Sequence, residues 1–194
     1  MNQCTFIIPT MGRQTLERAV SSLILQNVPN WKALIVFDGN YDVNYVATDD
    51  RIKIVKADVG GHAGLVRNYG INMVDTDWIA FLDDDDWLES TYMQKLRGYS
   101  DSHPEWDLVI FTYKDVVNNV TIPDKKLKKI EECKVGISFA VKTEFVNKNN
   151  IRFTPNAIED FRFLDLCETN GAKYFISHDL QYYVGGRGGW LRKD

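Results

Sequence analysis

Four consecutive aspartates, Asp83, Asp84, Asp85 and Asp86, form the part of this sequence with the clearest capacity for chemistry. They directly follow a mostly apolar run, residues 78–82, which is typical of a buried strand. Adjacent carboxylates repel one another, and burial at a strand end raises that cost. A divalent cation would offset it, and Mg²⁺ and Mn²⁺ prefer oxygen ligands. The run therefore predicts a metal site at a strand end, with a solvated acidic turn as the alternative.

The elements that must position these carboxylates are visible in the first hundred residues. Strand-like runs at residues 4–8, 32–37, 51–55 and 78–82 alternate with helical patterns at residues 15–26, 65–74 and 90–99. Such alternation predicts an α/β fold with a mainly parallel, Rossmann-like sheet and helices on both faces. Polar segments follow the strands at Thr10, at Asp38, at residues 60–64 and at residues 83–86. Because parallel strands end at one edge of the sheet, we expect these segments to converge there.

The second half of the chain has a different pattern. A strand at residues 108–113 and a turn at Asn118 and Asn119 predict a hairpin with residues 120–122. Further strands are expected at residues 137–141, 174–177 and 180–184, and a helix is expected from Ile158. This half therefore predicts a small antiparallel addition to the parallel sheet. A glycine-rich tail from Gly185 onwards is expected either to fray or to close over a ligand.

Composition limits the class of protein. The chain has 194 residues, a net charge of −4 and 44% hydrophobic residues, which fits one domain over residues 1–194 and argues against general nucleic-acid binding. Three cysteines far apart in the sequence favour reduced thiols over a disulfide framework. A signal peptide and a transmembrane run are both absent from the pattern, so we expect a cytoplasmic location.

Five motifs also resemble a known family. They are residues 6–10, residues 36–39, residues 63–70, residues 81–87 and the pair Glu159-Asp160. In this order they resemble the motifs of family 2 glycosyltransferases with the GT-A fold. The resemblance implies an inverting transfer from a nucleotide-diphosphate-sugar, most often a UDP-sugar, to a glycan or another hydroxyl-bearing acceptor. It also implies a nucleotide-binding half at residues 1–100 and an acceptor-side half at residues 101–194.

The resemblance assigns roles by position. Asp85 would be the direct ligand of Mn²⁺ or Mg²⁺, and Asp160 would be the general base. Glu159 is expected on the acceptor side. Apart from the resemblance, Trp87 is a candidate stacking platform for an acceptor sugar, with a core or rim aromatic as the alternative. The residues expected to hold the nucleotide-sugar are Pro9, Thr10, Arg13, Asp38, Arg67, Asp83, Asp84 and Arg187. Among these, Asp38 would accept a hydrogen bond from the uracil ring, and Asp83 or Asp84 would bind the ribose.

The sequence departs from the family pattern in two places. The closing segment at residues 183–187 contains no histidine, so either His178 or water would have to complete the metal shell. The Gln-x-x-Arg-Trp signature of processive relatives is also missing, which favours single addition over polymerisation. His62, in the glycine-rich loop, is given no catalytic role.

Three other functions remain open from the residues alone. An aspartyl-phosphate phosphatase would use Asp83 as nucleophile and Asp85 as acid and base, but that motif belongs on a first strand. A nucleotidyltransferase would need a glycine-rich signature with Arg and Lys after the first strand, and residues 10–13 match this poorly. A module that binds a metal or a nucleotide without catalysis would leave Asp160 idle.

Overall fold

The computed structural model describes residues 3–186. Helices and strands alternate through the first half, and strands predominate in the second. In chain order they are β1 Cys4–Thr10, α1 Leu16–Ile24, β2 Trp31–Phe37, β3 Ile52–Lys56, α2 Ala63–Ile71, β4 Trp78–Phe81, β5 Trp87–Leu88, α3 Tyr92–Ser102, β6 Leu108–Asp115, β7 Val120–Ile122, β8 Phe139–Lys142, α4 Thr143–Lys148, α5 Glu159–Thr169 and β9 Tyr174–Val184.

All of these strands join one sheet, whose order is β3-β2-β1-β4-β8-β6-β9-β5, with β7 paired to β6. The strands of the first half pair in parallel, β1 with β2 and β4, and β2 with β3. The second half contributes β8, which is antiparallel to β4 and β6, and β9, which is parallel to β6. The predicted α/β fold with an antiparallel addition is therefore confirmed.

Helices cover both faces of the sheet, as the alternation predicted. Phe6 and Ile7 are neighbours on β1, so their side chains point to opposite faces. The ring of Phe6 lies 5.3 Å from the ring of Tyr92 on α3. On the other face α2 packs so closely that a Cβ at Gly70 would lie 2.7 Å from Ile7 Cγ2.

β1 continues through Pro9, beyond the strand expected at residues 4–8. The strand continues to Thr10 and stays paired with β2 as far as Phe37. Its pairing with β4 ends at Ile7 and Phe81, and Leu82 N donates to Ile7 O. Because successive residues turn to alternate neighbours, the missing N–H of Pro9 faces the side where β4 has already ended. The proline therefore costs no ladder hydrogen bond.

Other differences lie at the edges of elements. The two predicted closing strands form one strand, β9, with a register shift against β6 between Ile110 and Tyr113. The two-residue strand β5 was not predicted, because it is defined only by its pairing with β9. The helix expected from residue 90 begins at Tyr92, after its N-cap Thr91, whose hydroxyl donates to Gln181 instead of capping the helix.

Cys4 and Cys167 are buried, Cys133 is exposed, and none of the three is paired with another cysteine within residues 3–186. No helix within residues 3–186 combines the length and the apolar character needed to span a lipid bilayer.

Candidate active site

The four aspartates lie in the connection from β4 to β5, at the carboxyl edge of the parallel strands, as expected. This acidic loop, residues 83–86, is held by the last strand. Tyr182 on β9 donates its hydroxyl hydrogen to Asp86 Oδ2 at 2.8 Å and accepts from Asp83 N at 3.1 Å. Gly185 N donates to the other oxygen of Asp86 at 2.8 Å. Asp86 is 2% exposed, and its pKa is raised well above the ordinary value by burial and by Asp83.

Asp84 is tied to the end of β1. Thr10 Oγ1 donates to Asp84 Oδ2 at 2.6 Å, and Arg13 Nη1 donates to Oδ1 at 3.0 Å. Burial raises the pKa of Asp84 to about 6, and the hydrogen bond from Thr10 and the charge of Arg13 act in the opposite direction. Because Asp84 is 2% exposed whereas the Asp83 side chain is 32% exposed, Asp83 is the more accessible of the two predicted ribose ligands.

Asp85 receives Arg13 Nη1 on Oδ2 at 3.3 Å, and its backbone carbonyl accepts from Arg18 Nη2. No group of three metal-ligating side chains converges within residues 3–186. A divalent ion at Asp85 would therefore need most of its ligands from phosphate oxygens and water, which is how Mg²⁺ is commonly bound. The chemistry of the donor set fits such an ion, because the adjacent carboxylates of the loop offer the oxygen ligands that Mg²⁺ and Mn²⁺ prefer. The metal assignment stays a prediction.

Asp38, at the end of β2, is fully buried and organises the neighbouring loop. Its Oδ1 accepts from Asn40 N at 2.8 Å, and its Oδ2 accepts from Gly61 N at 2.7 Å. A Cβ at Gly60 would lie 2.3 Å from Asp38 Oδ1, so the loop approaches the carboxylate closely. A uracil ring could reach Asp38 only after this loop moved. The structure shows a loop-anchoring role, and the base contact stays a prediction.

Arg67 on α2 connects the acidic loop with the predicted catalytic pair. The side chain is 3% exposed and donates to Asp83 Oδ1 and to Glu159 Oε1, both at 2.5 Å. Its Nη1 also lies 3.9 Å from Asp160 Oδ1. Burial opposes the charge of Arg67, but the charges of Asp83, Asp160 and Glu159 outweigh it and raise the pKa. Arg67 is thus a buried cation among carboxylates, and an opening in this cluster would be needed for it to contact a diphosphate.

Asp160 has the environment expected of a base. Burial raises its pKa to about 7, with Arg67 lowering it and Asp83 and Glu159 raising it. Its Oδ1 is buried and accepts no hydrogen bond from residues 3–186, while the side chain as a whole is 32% exposed. The carboxylate is therefore reachable and has a proton affinity suited to general-base work near neutral pH.

A cavity of about 340 Å³ opens in front of this pair. Its wall includes both carboxylates, Arg67 and Asp83, together with residues that the sequence did not single out for this site. These are His62, Ala63, Cys133, Val135, Asn156, Ala157, Ile158 and Phe161. The cavity is large enough for a monosaccharide-sized group, and the pair lies on one side of it.

Trp87, the predicted acceptor platform, contacts groups of this chain. Its ring stacks on Tyr183 with centroids 5.4 Å apart, and Arg18 lies over it at 4.2 Å. Its role toward an acceptor stays a prediction. His178 lies inside β9, five residues before Tyr183, or about 15 Å away along a strand. Arg187 lies outside the described residues, as does the rest of the glycine-rich tail beyond residue 186.

The structure brings together most of the predicted residues: Thr10, Arg13, Arg67, Asp83, Asp84, Asp85, Glu159 and Asp160 connect through contacts between neighbours. Pro9 is buried within β1, beside Thr10. Sequence reasoning missed Tyr182 and Arg18, which secure the acidic loop from β9 and α1. Neither residue lies in a motif, and only the pairing of β5 with β9 would have pointed to Tyr182.

The comparison with protein families agrees with this geometry. The sequence profile of glycosyl transferase family 2 matches residues 5–161, which contain most of β1, the acidic loop and the Glu159-Asp160 pair. The chain belongs to glycosyltransferase family 2.

Among the relatives of this family 2 chain, poly(ribitol-phosphate) beta-N-acetylglucosaminyltransferase TarP of Staphylococcus aureus is 25% identical, over 95% of this chain and 63% of TarP. The Bacillus subtilis protein EpsH is 37% identical over 50% of this chain and 29% of its own length. This chain therefore spans less than two thirds of either relative.

Solved structures show the same fold. The structure of S. aureus TarS 1-349 in complex with UDP-GlcNAc superposes with a TM-score of 0.79 at 18% identity, covering 99% of this chain and 61% of TarS. The structure of TarS 1-349 in complex with UDP gives a TM-score of 0.73 at 19% identity, over 93% of this chain and 60% of TarS. At this identity the likeness establishes the GT-A fold of the family 2 chain.

Proposed function

We propose that this chain transfers one sugar from a UDP-sugar to an acceptor hydroxyl, with inversion and with a divalent metal ion. The observation that carries the proposal is the environment of Asp160, a reachable carboxylate whose pKa burial raises to about 7. Membership of family 2 supports a transferase. The names of two similar proteins, TarP as an N-acetylglucosaminyltransferase and TarS in complex with UDP-GlcNAc, support a UDP-sugar donor.

In this proposal Asp160 acts on the acceptor and Asp83 binds the donor. Asp160 takes the proton of the acceptor hydroxyl as its oxygen forms a bond to the anomeric carbon. The bond from that carbon to the diphosphate breaks on the opposite face, and UDP leaves with the electron pair. Asp83, which is the more exposed of the first two aspartates of the loop, binds the ribose. Arg67 holds Asp83 and Glu159 in place.

Asp85 would anchor the metal ion, with Arg13 and Arg18 fixing its side chain and backbone. Bound there, Mn²⁺ or Mg²⁺ would stabilise the negative charge that develops on the leaving diphosphate. In this proposal the glycine-rich tail with Arg187 excludes water, and Trp87 holds the acceptor.

UDP release from a panel of UDP-sugars, with sugar acceptors and Mn²⁺, tests the proposal. We expect turnover by the wild-type chain, a strong loss in Asp160→Asn and Asp85→Ala, and no change in Asp101→Asn, whose carboxylate is exposed on α3. Mn²⁺-dependent UDP binding without turnover would replace the proposal with a non-catalytic module. Phosphate release from a phosphomonoester would favour the phosphatase, although the aspartates follow the fourth strand and not the first.

A further inference from the structure

His62 lies between the first turns of two helices. It is the N-cap residue of α2, and its ring lies beside Glu159, the first residue of α5. Gly64 N is 3.2 Å from His62 Nδ1, and Glu159 Oε2 is 3.1 Å from the same nitrogen. One ring nitrogen cannot serve both neighbours, because it accepts when it carries a lone pair and donates when it carries hydrogen.

Of the two possible hydrogen bonds of this nitrogen, the one to Glu159 is the more favourable. Arg67 donates to its Oε1 at 2.5 Å, a charge-assisted hydrogen bond from a guanidinium to a carboxylate. The other oxygen, Oε2, is buried and receives no hydrogen bond from residues 3–186 if His62 Nδ1 acts as an acceptor. A buried, charged oxygen facing a lone pair is far less favourable than one helix N–H left without its cap.

The carboxylate of Glu159 is also fixed against α2 by its shape. A Cβ at Gly64 would lie 2.3 Å from Glu159 Oε2 and 3.0 Å from Phe153 Cβ. The oxygen therefore occupies the space that a side chain at Gly64 would take, in contact with the first turn of α2. It cannot withdraw from His62 without leaving this position.

We propose that His62 carries its ring hydrogen on Nδ1, donates it to Glu159 Oε2, and acts as a positioning residue for Asp160. The role in catalysis rests on the proposed function. With His62 on one oxygen and Arg67 on the other, Glu159 is fully engaged inside the protein. It is then a support for the base and not the acceptor-binding group that the sequence suggested.

The effect on Asp160 follows from the position of Arg67. The Nη1 atom of Arg67 is 2.5 Å from Glu159 Oε1, and Asp160 Oδ1 is 3.9 Å from the same nitrogen. Without His62, Glu159 loses one of its two anchors and Arg67 can shift to Asp160. A closer ion pair between Nη1 of Arg67 and Asp160 would weaken the base, while Nη2 could keep its hydrogen bond to Asp83.

The kinetic test compares His62→Ala, His62→Asn and His103→Ala. We expect His62→Ala to lower kcat by about tenfold with the KM for the donor nearly unchanged, less than the roughly 10²–10⁴-fold expected on removing the base. His62→Asn should restore most of kcat, because asparagine caps a helix and presents an amide N–H near the position of Nδ1. The control, His103, also lies 3.2 Å from a carboxylate, Glu105, but is exposed, and should have no effect.

Equal impairment of the asparagine and alanine variants, or an unchanged kcat in both, would overturn the inference. A second measurement needs no turnover: long-range ¹H–¹⁵N spectra of the substrate-free protein report which ring nitrogen carries hydrogen. We expect hydrogen on Nδ1 of His62, and a shift of the tautomer toward Nε2 in Glu159→Gln. Hydrogen on Nε2 alone in the wild type would refute the proposed contact. If the wild-type chain transfers no sugar, the proposed function fails, and these spectra still decide the contact.

Discussion

Glu159 and Asp160 are adjacent in sequence and have opposite surroundings. Glu159 accepts a hydrogen bond from Arg67. Asp160 has a buried oxygen that accepts no hydrogen bond from residues 3–186, and burial raises its pKa to about 7. Under the proposed function, these different partners suit Glu159 to a support role and Asp160 to proton transfer. This difference also lets single substitutions separate the two roles.

Replacing Asp160 by Asn should abolish the base and leave the fold intact. We expect kcat to fall by about 10²–10⁴-fold, because asparagine cannot take a proton from the acceptor. In the wild type, kcat should increase with pH through about 7 as Asp160 ionises. A pH profile of UDP release checks this, and a rate that is flat across the range in which Asp160 ionises would contradict the assignment.

The same residue should affect stability in a pH-dependent way. The pKa of Asp160 is raised from 3.8 to about 7 in the folded chain, so between these values the native state holds a proton that the unfolded chain has released. Wild-type stability therefore contains a term that is lost as pH rises through this window. We expect the Tm of Asp160→Asn to increase relative to the Tm of the wild type as pH rises from about 4 to about 8. Asp101→Asn should show no such trend.

At the scale of elements, one hydroxyl on β9, that of Tyr182, makes two hydrogen bonds to the acidic loop. Tyr182→Phe would leave Asp86 Oδ2 buried without its donor, and Asp83 N without its acceptor. We expect a loss of about 1–3 kcal/mol in the free energy of unfolding, measured by urea denaturation. Tyr183→Phe is the matched control, because its hydroxyl reaches the partly exposed Glu89, and its cost should be smaller. Equal costs would show that the loop does not depend on Tyr182.

Two helical glycines offer a second comparison. Gly98 on α3 has open space where a Cβ would stand, with no atom within 4 Å, so Gly98→Ala should stabilise the protein by about 0.5–1 kcal/mol. Gly64→Ala should lower stability and activity together, since the new Cβ would meet Glu159 Oε2 at 2.3 Å. Thermal unfolding and UDP release measure both effects. A stabilised and fully active Gly64→Ala would show that Glu159 can move freely.

At the scale of the whole molecule, the parallel strands bring the ends of β1, β2 and β4 to one edge. A UDP-sugar bound across this edge would contact only the native state, so it should raise the Tm. We expect UDP at about 100 times its Kd, with Mn²⁺, to add about 2.7 kcal/mol, or a Tm increase on the order of 5–10 °C. EDTA or Asp85→Ala should remove most of the increase. A shift that persists without metal would contradict the role given to Asp85.

Sequence patterns were sufficient for the parallel half of the sheet, because its strands are apolar and its helices have clear periodicity. They also located Asp83–Asp86 and Asp160, whose positions at a strand end and a helix start follow from local pattern. They could not locate β5 or Tyr182, because these depend on pairing between residues about a hundred positions apart. The sequence could not show which polar side chains are buried. Asp38 and Arg67 were predicted to contact the ligand, but in the structure both form hydrogen bonds inside the protein.

The bonds from Tyr182 and Gly185 to Asp86 span 96 and 99 residues of chain. Contacts between such distant positions become favourable only after the intervening chain has been ordered. The aspartate run should therefore acquire its final shape late in folding, when the last strand docks beside β6. A local opening of that strand would remove the two donors of Asp86 and loosen the acidic loop while the parallel strands stayed intact.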